Sequence, residues 1–591
     1  MSLNAAVELS KNRAILFGLG FVSGLALWQL SEHWDNTALP PWLLLALLSF
    51  IGSYSSVALA LCGPVSVLRA LGGALVLSVP FTALTSLAGR RYELATGILD
   101  QPVPISVSIL VLLLATPFQI VGLQNRPAWR SYTALFEAAW ALTIRYLSAW
   151  VFVGLFWVLM FLSDALLSLV EVKVIDWITD EEWLVFGLTG GVLGLAMAVV
   201  FELRAAVSPF LLLRLLRLLV LPVLAVVAVF LIAIPLRGLS QLFGDFSAAA
   251  TLMSVAMVMI TLIAVVLERD DARMRESVTI SISTQYLAVL LPFVTGLAAW
   301  SIWLRISDYG WTPDRVLAAC VCAVLLSYGV LYPLAVLRRT GWEERIRRVN
   351  VSLALVTIAI SAALLTPLLN PDKIAASSQV QRYLDGRLSL DKFPIAQLEH
   401  DWGRAGQEAL KALEDSPESQ SPELIRRLQD FRSADNRWAF ERGVTSEKLE
   451  GLKAELVEKL PMFPEGETLN IEDLEGLEQY DLSLWLTGCD LPVSNGRPGC
   501  VLIIDQFDLN SDRQGMLLYR NSHDALTVKT RFLTFATQGL ALSKEAQVLA
   551  GQARPRLNTM AIEQIFSGEY SVGPSSLRAL HVGGREITTR P

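Results

Sequence analysis

The residues best suited to ligand chemistry form one acidic turn near the C-terminus. Asp508, Asn510 and Asp512, in the sequence DQFDLNSDRQG, match the opening Asp-x-Asn-x-Asp of a calcium loop, in which alternate oxygens converge on a hard cation. The rest of the motif is absent, because Arg513 stands where such loops carry glycine and no glutamate follows at the twelfth position. We interpret the segment as an Asx-type turn between two strands, with a Ca²⁺ site as the alternative and no other cofactor indicated.

Two cysteines form the second candidate constellation. Cys489 and Cys500 bracket LPVSNGRPG, a turn-rich segment that can bring two chain segments together. In an oxidising compartment a disulfide that closes so short a loop would contribute roughly 3 kcal/mol. A zinc site would need further thiolates or imidazoles nearby. We therefore predict a disulfide, and two free thiols and a metal site are the alternatives.

Charged residues also stand at the mouth of an apolar segment, in the sequence WLRISDYGWTPDRVLA. Arg305, Asp308 and Arg315 would bind a substrate there if the loop faced a cavity, because charges at membrane depth are usually functional. The same sequence is a helix-start signal, in which Thr312 is the N-cap and Pro313 the first helical residue. Structural anchoring is the preferred interpretation, and a substrate site is the alternative.

A carboxylate inside apolar sequence is the remaining candidate for substrate binding. Asp164 lies in FWVLMFLSDALLSLV, and an ionised carboxylate at membrane depth is costly unless it is paired or hydrated. Because Asp164 is near the end of its apolar segment, reaching the interface is the structural explanation and a coupling or substrate role is the alternative. No histidine falls in an apolar segment, which excludes a histidine-based proton relay through the membrane.

Membrane helices must position most of these residues. The chain is 53% hydrophobic and only 17% charged, with a mean hydropathy of +0.49, which a soluble protein could not bury. A helix that crosses the hydrocarbon core with all its backbone groups bonded needs roughly 20 apolar residues. Eleven such runs are predicted, near 14–30, 41–62, 70–89, 105–123, 148–170, 184–203, 218–236, 248–267, 286–304, 313–336 and 350–369.

The fold class that follows is a polytopic α-helical membrane protein with a C-terminal soluble α+β domain. The transmembrane domain is predicted at 1–369, a helical connector at 370–465 and a small β-rich domain at 466–591. The connector has helical periodicity, as in ELIRRLQDF, and the last domain has strand-like alternation. Strands are predicted at LSLWL, CVLIID, GMLLYR, LTVKTRFLTF and LRALHV.

The loops between spans carry most of their Lys and Arg on the side of the N-terminus. The positive-inside bias then places the N-terminus in the cytoplasm, although Arg90 and Arg91 are a local exception. With eleven spans, the C-terminal domain lies outside the cytoplasm. The predicted location is the bacterial inner membrane, with this domain in the periplasm.

Two further patterns concern how the helices lie. WRSYTALFEAAWALTIRYL, between the fourth and fifth spans, has a charged face and an apolar face, which predicts an amphipathic helix in the membrane interface. Gly20 with Gly24, and Gly190 with Gly194, have the small-xxx-small spacing that lets helices approach closely. We expect these glycines to serve packing.

Three separated stretches carry a resemblance to a known family. They are YTALFEAAWALTIRYLSAWVFVGLFWVLMFLSDALL, WLRISDYGWTPDRVLA and LNPDKIAASSQVQRYLDGRLSLDKFPIAQLEHDWGRAGQEALKAL, and together they cover most of residues 130–450. In this order they resemble the bacterial multi-pass membrane family catalogued as domain of unknown function 4153. The resemblance implies a polytopic envelope protein, and it carries over no catalytic residue.

The sequence leaves three classes of function open. Signatures of hydrolases, kinases and metalloproteases are missing, so an enzyme is disfavoured without being excluded, and no catalytic residue is assigned. We predict a structural, sensory or partner-binding envelope component, whose partners are membrane lipids and an envelope protein bound by the C-terminal domain, with no nucleic acid. The alternatives are a transporter or flippase for a small or lipid-linked substrate, and a membrane-embedded glycosyltransferase-like enzyme.

A transporter and a closed scaffold differ in what the spans enclose. A transporter needs a polar cavity near the midplane, because a hydrophilic substrate needs its hydration replaced. The candidate lining side chains are Asp164, Ser53, Tyr54, Gln285, Tyr286, Ser327 and Tyr328. In a partner-binding protein the spans would pack closed.

Overall fold

The fold is taken from a computed structural model. It describes residues 3–32, 39–168, 174–203, 210–237, 248–267, 278–415, 422–433, 446–464, 466–474, 477, 479–493, 496–507, 513–521, 524–536, 539–545, 547–549, 557–573, 579–582 and 585–588. The chain divides into two compact units, residues 1–419 and 420–591.

The first unit is helical throughout its described part. Its helices are α1 (Leu3–Ser31), α2 (Pro41–Leu61), α3 (Val67–Gly89), α4 (Pro102–Gln124), α5 (Tyr132–Ser168), α6 (Val174–Asp180), α7 (Glu182–Glu202), α8 (Phe210–Leu218), α9 (Val220–Arg237), α10 (Ala248–Val266), α11 (Val278–Tyr309), α12 (Pro313–Leu337), α13 (Trp342–Leu364), α14 (Pro371–Leu384) and α15 (Gly403–Asp415).

Eleven helical segments of the described residues are long and apolar enough to cross a membrane, and they match the predicted spans one for one. They are Ser10–Ser31, Pro41–Leu61, Val67–Gly89, Pro102–Gln124, Tyr132–Leu167, Glu182–Glu202, Leu215–Ile234, Ala248–Val266, Val278–Tyr309, Pro313–Leu337 and Trp342–Leu364. The prediction of a polytopic helical membrane protein is confirmed.

The predicted interfacial helix is not a separate element. Residues from Tyr132 to Ser168 form one continuous helix of 37 residues, α5, which is about 55 Å long and exceeds the hydrocarbon thickness of about 30 Å. No glycine or proline interrupts its first 22 residues, so nothing ends the helix where the amphipathic pattern gives way to the apolar one. The separate interfacial helix was therefore a wrong prediction.

The predicted glycine pairs meet each other where α1 crosses α7. A Cβ atom added to Gly20 would lie 2.0 Å from the carbonyl oxygen of Gly190, and one added to Gly194 would lie 2.0 Å from that of Leu16. At Gly24 the obstacle is the carbonyl oxygen of Phe186, at 2.1 Å. The two backbones are thus in direct contact, which confirms that these glycines serve packing.

Two apolar cores hold the helical unit together. The first is built from α1 to α5 and α7, around residues such as Met197 and Ala58. The second is built mainly from α9 to α13, around Met259, Leu287 and Tyr332. A smaller cluster of Val121, Leu135 and Val351 joins α4 and α5 to α13. The helices α4, α5 and α13 therefore form one part of the seam between the two cores.

The division into units falls inside the segment predicted as one connector. Helices α14 and α15 belong to the first unit, where α14 packs on α12 and α15 on α14. The reason is apolar burial, since Ala375, Ala376 and Leu410 are 1% exposed or less. The rest of the predicted connector, residues 420–465, belongs to the second unit, so the boundaries differ from those predicted at 369/370 and 465/466.

The second unit contains two β-sheets and four helices among its described residues. Its elements are α16 (Pro422–Ser433), α17 (Ser446–Lys459), β1 (Met462–Phe463), α18 (Gln479–Cys489), β2 (Cys500–Ile504), β3 (Gln514–Asn521), β4 (Asp524–Ala536), β5 (Gly539–Glu545), β6 (Gln547–Leu549), β7 (Leu557–Asn558), α19 (Met560–Phe566), β8 (Tyr570–Gly573), β9 (Ala579–Val582) and β10 (Arg585–Thr588). One sheet has the order β1-β2-β3-β4-β5, with β7 also paired to β4, and the other has the order β6-β10-β9-β8.

The larger sheet is buried on both faces. Along β2, Leu502 packs with α17 and α18 on one face, while Val501 and Ile503 pack with α19 on the other. All five residues of β2 are buried, as expected for a strand covered from both sides. The predicted C-terminal α+β unit is confirmed.

One predicted strand is a helix. The segment LSLWL lies within α18, where Leu482, Trp485, Leu486 and Cys489 are buried at helical spacing. An apolar run this short fits either period, and packing against β3 decides for the helix. The last residue of α18 is bonded to the first residue of β2 by the Cys489–Cys500 disulfide, which confirms that prediction.

Candidate functional site

The predicted substrate residues at the start of α12 lie in a helix junction whose carbonyl groups are bonded to side chains. Arg315 donates to the carbonyl oxygens of Gly310 at 2.7 Å and Tyr309 at 3.3 Å. Its own backbone N–H donates to the hydroxyl oxygen of Thr312 at 3.4 Å, which confirms Thr312 as the N-cap. Arg305 and Asp308 are exposed.

Helix α14 completes this junction from the other side. Arg382 donates to the carbonyl oxygens of Ser307, at 2.9 Å, and Asp308. Gln379 donates to the carbonyl oxygens of Tyr309 and Trp311, at 2.9 and 2.8 Å. Carbonyls at the end of α11 would otherwise lack partners, so these side chains fasten α14 to the α11–α12 turn. The arrangement performs anchoring, and whether a substrate also binds there stays a prediction.

The other predicted residues lie apart from this junction. Asp164 is half-buried in the last turns of α5 and lines none of the three cavities described below. Asp508, Asn510 and Asp512 lie outside the described residues, so the Ca²⁺ alternative stays a prediction. Among the described residues, no group of three or more His, Cys, Asp or Glu side chains is placed to hold a metal ion.

The structure adds a buried cation that sequence reasoning did not single out. Arg145 of α5 is only 4% exposed. Its guanidinium donates to the carbonyl oxygens of Met197 at 2.8 Å, Ala60 at 3.0 Å and Cys62 at 2.7 Å. It also lies 5.3 Å from the ring centroid of Phe201. One arginine thus bridges α5 to the ends of α2 and α7.

The chemistry of this contact favours a structural role. The last carbonyls of a helix have no partner within it and carry the negative end of its dipole, so a guanidinium is a suitable ligand for them. Ala60 and Cys62 stand at the C-terminal end of α2, whereas Met197 lies before the last four residues of α7, so its carbonyl oxygen accepts from Arg145 through its second lone pair. Arg145 therefore satisfies groups that would cost free energy if buried alone.

A cavity of about 340 Å³ lies beside Arg145, between α2, α4, α5 and α7. Its polar lining consists of Gln124, Glu137 and Arg145, and the rest is apolar, including Leu142 and Phe201. Gln124 donates to the carbonyl oxygen of Pro64 at 3.2 Å. Two of the three polar side chains therefore bond to backbone.

A second cavity, which we call the inter-core groove, lies at the seam between the two cores. Its volume is about 360 Å³ and it is partly open to its surroundings. Its walls are mostly apolar, and its lining residues are Leu113, Leu114, Pro117, Phe118, Tyr132, Leu135, Phe136, Ala139, Trp140, Leu142, Thr143, Ile260, Thr261, Ala264, Val265, Tyr328, Asn350, Val351 and Ala354. They come from α4, α5, α10, α12 and α13.

One polar pair stands at the edge of the inter-core groove. Tyr332, which is fully buried, donates its hydroxyl to the side-chain oxygen of Asn350. The amide nitrogen of Asn350 is buried and has no hydrogen-bond partner among the described residues. A buried amide donor without a partner costs free energy, so this atom marks a position where a ligand acceptor would be favourable.

A third cavity, of about 450 Å³, lies between α1, α2, α5 and α7. Its hydroxyl groups bond within the protein: Ser55 donates to Ser23 at 2.7 Å, and Ser56 to the carbonyl oxygen of Gly52 at 2.8 Å. Hydroxyls that serve their own helix backbone are common in membrane helices and do not by themselves make a polar path.

Of the side chains proposed for a transport path, Tyr328 alone lines one of the three cavities described above. Tyr328 lines the inter-core groove. Ser53 and Ser327 donate to the carbonyl oxygens of Ser49 and Ala323 in their own helices, at 2.6 and 2.8 Å. Tyr286 is 60% exposed on the outside of α11.

A buried ionisable cluster joins the end of α3 to the start of α14, outside the spans. Arg91 donates to the carbonyl oxygens of Leu364 at 2.6 Å and Thr366 at 2.8 Å. Tyr92 donates to a carboxylate oxygen of Asp372 at 3.4 Å. Burial raises the pKa of Asp372 and of Tyr92 and lowers the pKa of Arg91. The opposite charges of Arg91 and Asp372 reduce each other's pKa shift, whereas the charge of Asp372 adds to the pKa shift of Tyr92.

The signals for these residues were weak in the sequence. Arg145 stands alone among apolar residues in LTIRYL, where the amphipathic pattern of WRSYTALFEAAWALTIRYL predicts a place on the charged face of the helix. Asn350 follows RRV at the start of a span, where a polar residue is unremarkable at an interface. Only the packing of α2, α7 and α12 against these positions distinguishes them.

Comparison with known proteins gives one result. The model of the family described as Domain of unknown function (DUF4153) matches residues 41–401, which is more than half of the chain and includes the spans from α2 to α13. No curated protein and no solved structure matches the chain.

Proposed function

This chain belongs to the DUF4153 family, and we propose that it is a non-catalytic component of the bacterial envelope. It resides in the inner membrane with its N-terminus in the cytoplasm. The helical unit is a closed scaffold, and the C-terminal unit lies in the periplasm and recognises a partner protein. The observation that carries the proposal is that buried arginines of the helical unit, such as Arg145 and Arg91, bind backbone carbonyl oxygens.

Four arginines of the helical unit donate to neighbouring backbone carbonyls, and one of them, Arg145, also lines the cavity between α2, α4, α5 and α7. Arg145 and Arg91 bind carbonyl oxygens of other helices or of the following turn. Arg345 donates to the carbonyl oxygen of Ala335 at 3.0 and 3.2 Å, and Arg347 to that of Leu267 at 3.2 Å. A substrate path needs charged groups that are available to a ligand, whereas these groups lock helix ends together.

The C-terminal unit has the properties of a recognition scaffold. Its sheet is covered on both faces, and a disulfide links α18 to β2. Disulfides persist in oxidising compartments, which supports the periplasmic placement, as does the positive-inside bias of the loops. Tyr480 and Met560 are large side chains that are each 58% exposed on this stiff frame. Exposed residues on a rigid scaffold are suited to contacts with a partner.

Photo-cross-linking in intact cells tests the recognition surface. A photoreactive residue at Tyr480 or at Met560 should give a discrete cross-linked species of an envelope protein, and the two positions probe separate surfaces because their helices cover opposite faces of the sheet. The same residue at Lys529, an exposed polar position on β4, serves as the matched control. Equal, diffuse labelling at all three positions would contradict partner recognition by these side chains.

A lipid flippase is the second candidate, and the inter-core groove is the observation that favours it. A mostly apolar groove between helix groups suits an acyl chain better than a hydrophilic solute. In liposomes that contain the purified protein, a fluorescent phospholipid should cross the bilayer no faster than in protein-free liposomes if the scaffold is closed. Acceleration that is lost in Ala139→Trp, which fills the inter-core groove, would replace our proposal with the flippase.

A further inference from the structure

We propose that the inter-core groove is a binding site for one acyl chain of a bilayer phospholipid, with an ester carbonyl oxygen accepting a hydrogen bond from Asn350. The ligand fills the seam between the two helical cores. This inference is independent of whether the C-terminal unit binds a partner.

The size of the groove fits part of an acyl chain. Its volume of about 360 Å³ is more than twice that of the apolar cavities of about 150 Å³ that bind benzene. Along α5, its lining runs from Tyr132 to Thr143, a rise of about 16 Å. The space is therefore elongated along the helix axes, as an acyl chain is.

The lining is apolar where a chain would lie. The groove is lined by leucine, phenylalanine and proline side chains of α4, by tryptophan and phenylalanine of α5 and by isoleucine of α10, such as Leu113, Trp140 and Ile260. In a bilayer, a partly open gap with such walls is filled by hydrocarbon, because water would find few hydrogen-bond partners there.

The polar end of the groove lies at the depth of a lipid ester. Arg347 and Arg348 immediately precede the V-N-V sequence that contains Asn350, and the apolar run of α13 begins there. Asn350 thus lies where the charged part of α13 gives way to the hydrocarbon part. Ester carbonyls of phospholipids lie at this boundary, and their fatty chains extend inwards from it.

Asn350 supplies the complementary donor. Its oxygen already accepts the hydroxyl of Tyr332, and its buried amide nitrogen has no partner among the described residues. An ester carbonyl is an acceptor only, and the Tyr332 hydroxyl already donates to Asn350, so the amide N–H is the donor that is left for it. The hydrogen bond fixes the head end of the chain, and the apolar walls hold the rest.

A bilayer phospholipid is the occupant because the groove opens from helices whose outer faces are apolar. Trp150, Leu155 and Leu159 of α5, for example, are 53–61% exposed and face the bilayer once the helix is inserted. A free fatty acid has the same chain but a carboxylate, which would have to be buried with its charge or protonated near Asn350. The test below distinguishes a bound free fatty acid from a bound phospholipid.

The test is photolabelling of the purified full-length protein in phosphatidylethanolamine nanodiscs. One sample contains phosphatidylethanolamine with a diazirine in one acyl chain, and the other contains palmitic acid with the same diazirine. We expect the phospholipid to label peptides of residues 132–143, 260–265 and 350–354 above the lipid-exposed part of α5. Labelling spread evenly over all spans would overturn the proposal, and preferential labelling by palmitic acid would replace the phospholipid with a fatty acid.

Two substitutions fill the groove from opposite walls, and a third is their control. Ala139→Trp and Ala354→Phe should each abolish groove labelling, whereas Leu155→Trp, on the exposed half of α5, should leave it unchanged. Size-exclusion profiles identify any variant that fails to fold, in which case the other groove-filling variant decides. Unchanged labelling in a folded groove-filling variant would overturn the site.

A comparison of two further variants tests the role of the Asn350 amide. Asn350→Leu should weaken groove labelling by about tenfold, the effect of losing one buried hydrogen bond. Tyr332→Phe removes the other hydrogen bond of Asn350 and keeps the amide, so it should label nearly as well as the unchanged protein. Equal losses in both variants would show that the polar pair supports the fold and does not contact the lipid.

Discussion

Replacing Arg145 by methionine should destabilise the helical unit strongly. Methionine replaces the aliphatic part of the arginine side chain with an unbranched apolar one but offers no donor to the carbonyl oxygens of Met197, Ala60 and Cys62. Three hydrogen bonds from a charged donor are worth about 1.5–3 kcal/mol each. Relief from burying the cation returns about 2.5–3.5 kcal/mol. The net loss in the free energy of unfolding should therefore be about 1–6.5 kcal/mol.

The assay is unfolding of the purified protein in mixed detergent micelles, followed by circular dichroism. Arg130→Met is the control, since Arg130 is exposed and stacks on Trp129 at 4.3 Å, an interaction worth at most about 1 kcal/mol. Arg145→Lys should lie between the two, because one ammonium group cannot reproduce the planar fork of a guanidinium. If Arg145→Met were no less stable than Arg130→Met, the view of Arg145 as a structural clamp would be refuted.

Three further perturbations follow from the described contacts. Gly190→Ala should lower the free energy of unfolding by about 1–3 kcal/mol in the same assay, because the added methyl would lie 2.2 Å from the carbonyl oxygen of Gly20. Gly154→Ala is the control and should leave the free energy of unfolding unchanged, because its added methyl meets nothing within 4 Å. Cys489→Ser should lower the free energy of unfolding of the C-terminal unit by about 3 kcal/mol and therefore lower its thermal midpoint. A reductant should have no further effect on this variant. Burial raises the pKa of Asp372 above 3.8, so the folded state holds this proton more tightly than the unfolded state. The free energy of unfolding, measured relative to that of Asp372→Asn, should therefore fall as the pH rises from 3.8 through the folded-state pKa. A difference that stays constant across this range would contradict the buried carboxyl.

The sequence was sufficient for the features that depend on composition and on local pattern. Span length and hydropathy predict eleven helices because a membrane leaves the backbone few other options. The glycine pairs predict close packing, whereas their meeting each other across α1 and α7 is known only from the structure. The disulfide follows from a short turn-rich loop between two cysteines.

Features that depend on packing between distant parts of the chain could not be predicted from the sequence. The segment LSLWL fits a strand or a helix, and only the sheet beneath α18 decides. Nothing near Arg145 in the sequence indicates that α2 and α7 end beside it. The amide of Asn350 is distinctive only because Tyr332, 18 residues away, takes its oxygen and leaves its nitrogen buried. Such positions are defined by contacts between helices, which local periodicity does not encode.

The side of the membrane on which the C-terminal unit lies tests the proposed function most directly. A reporter enzyme that is active only in the periplasm can be fused after Pro591, with a fusion after Arg348, at the start of α13, as the reference for the opposite side. We expect activity from the fusion after Pro591 and none from the fusion after Arg348, when both are present in equal amounts. Activity from the Arg348 fusion alone would place the recognition unit in the cytoplasm and contradict the account.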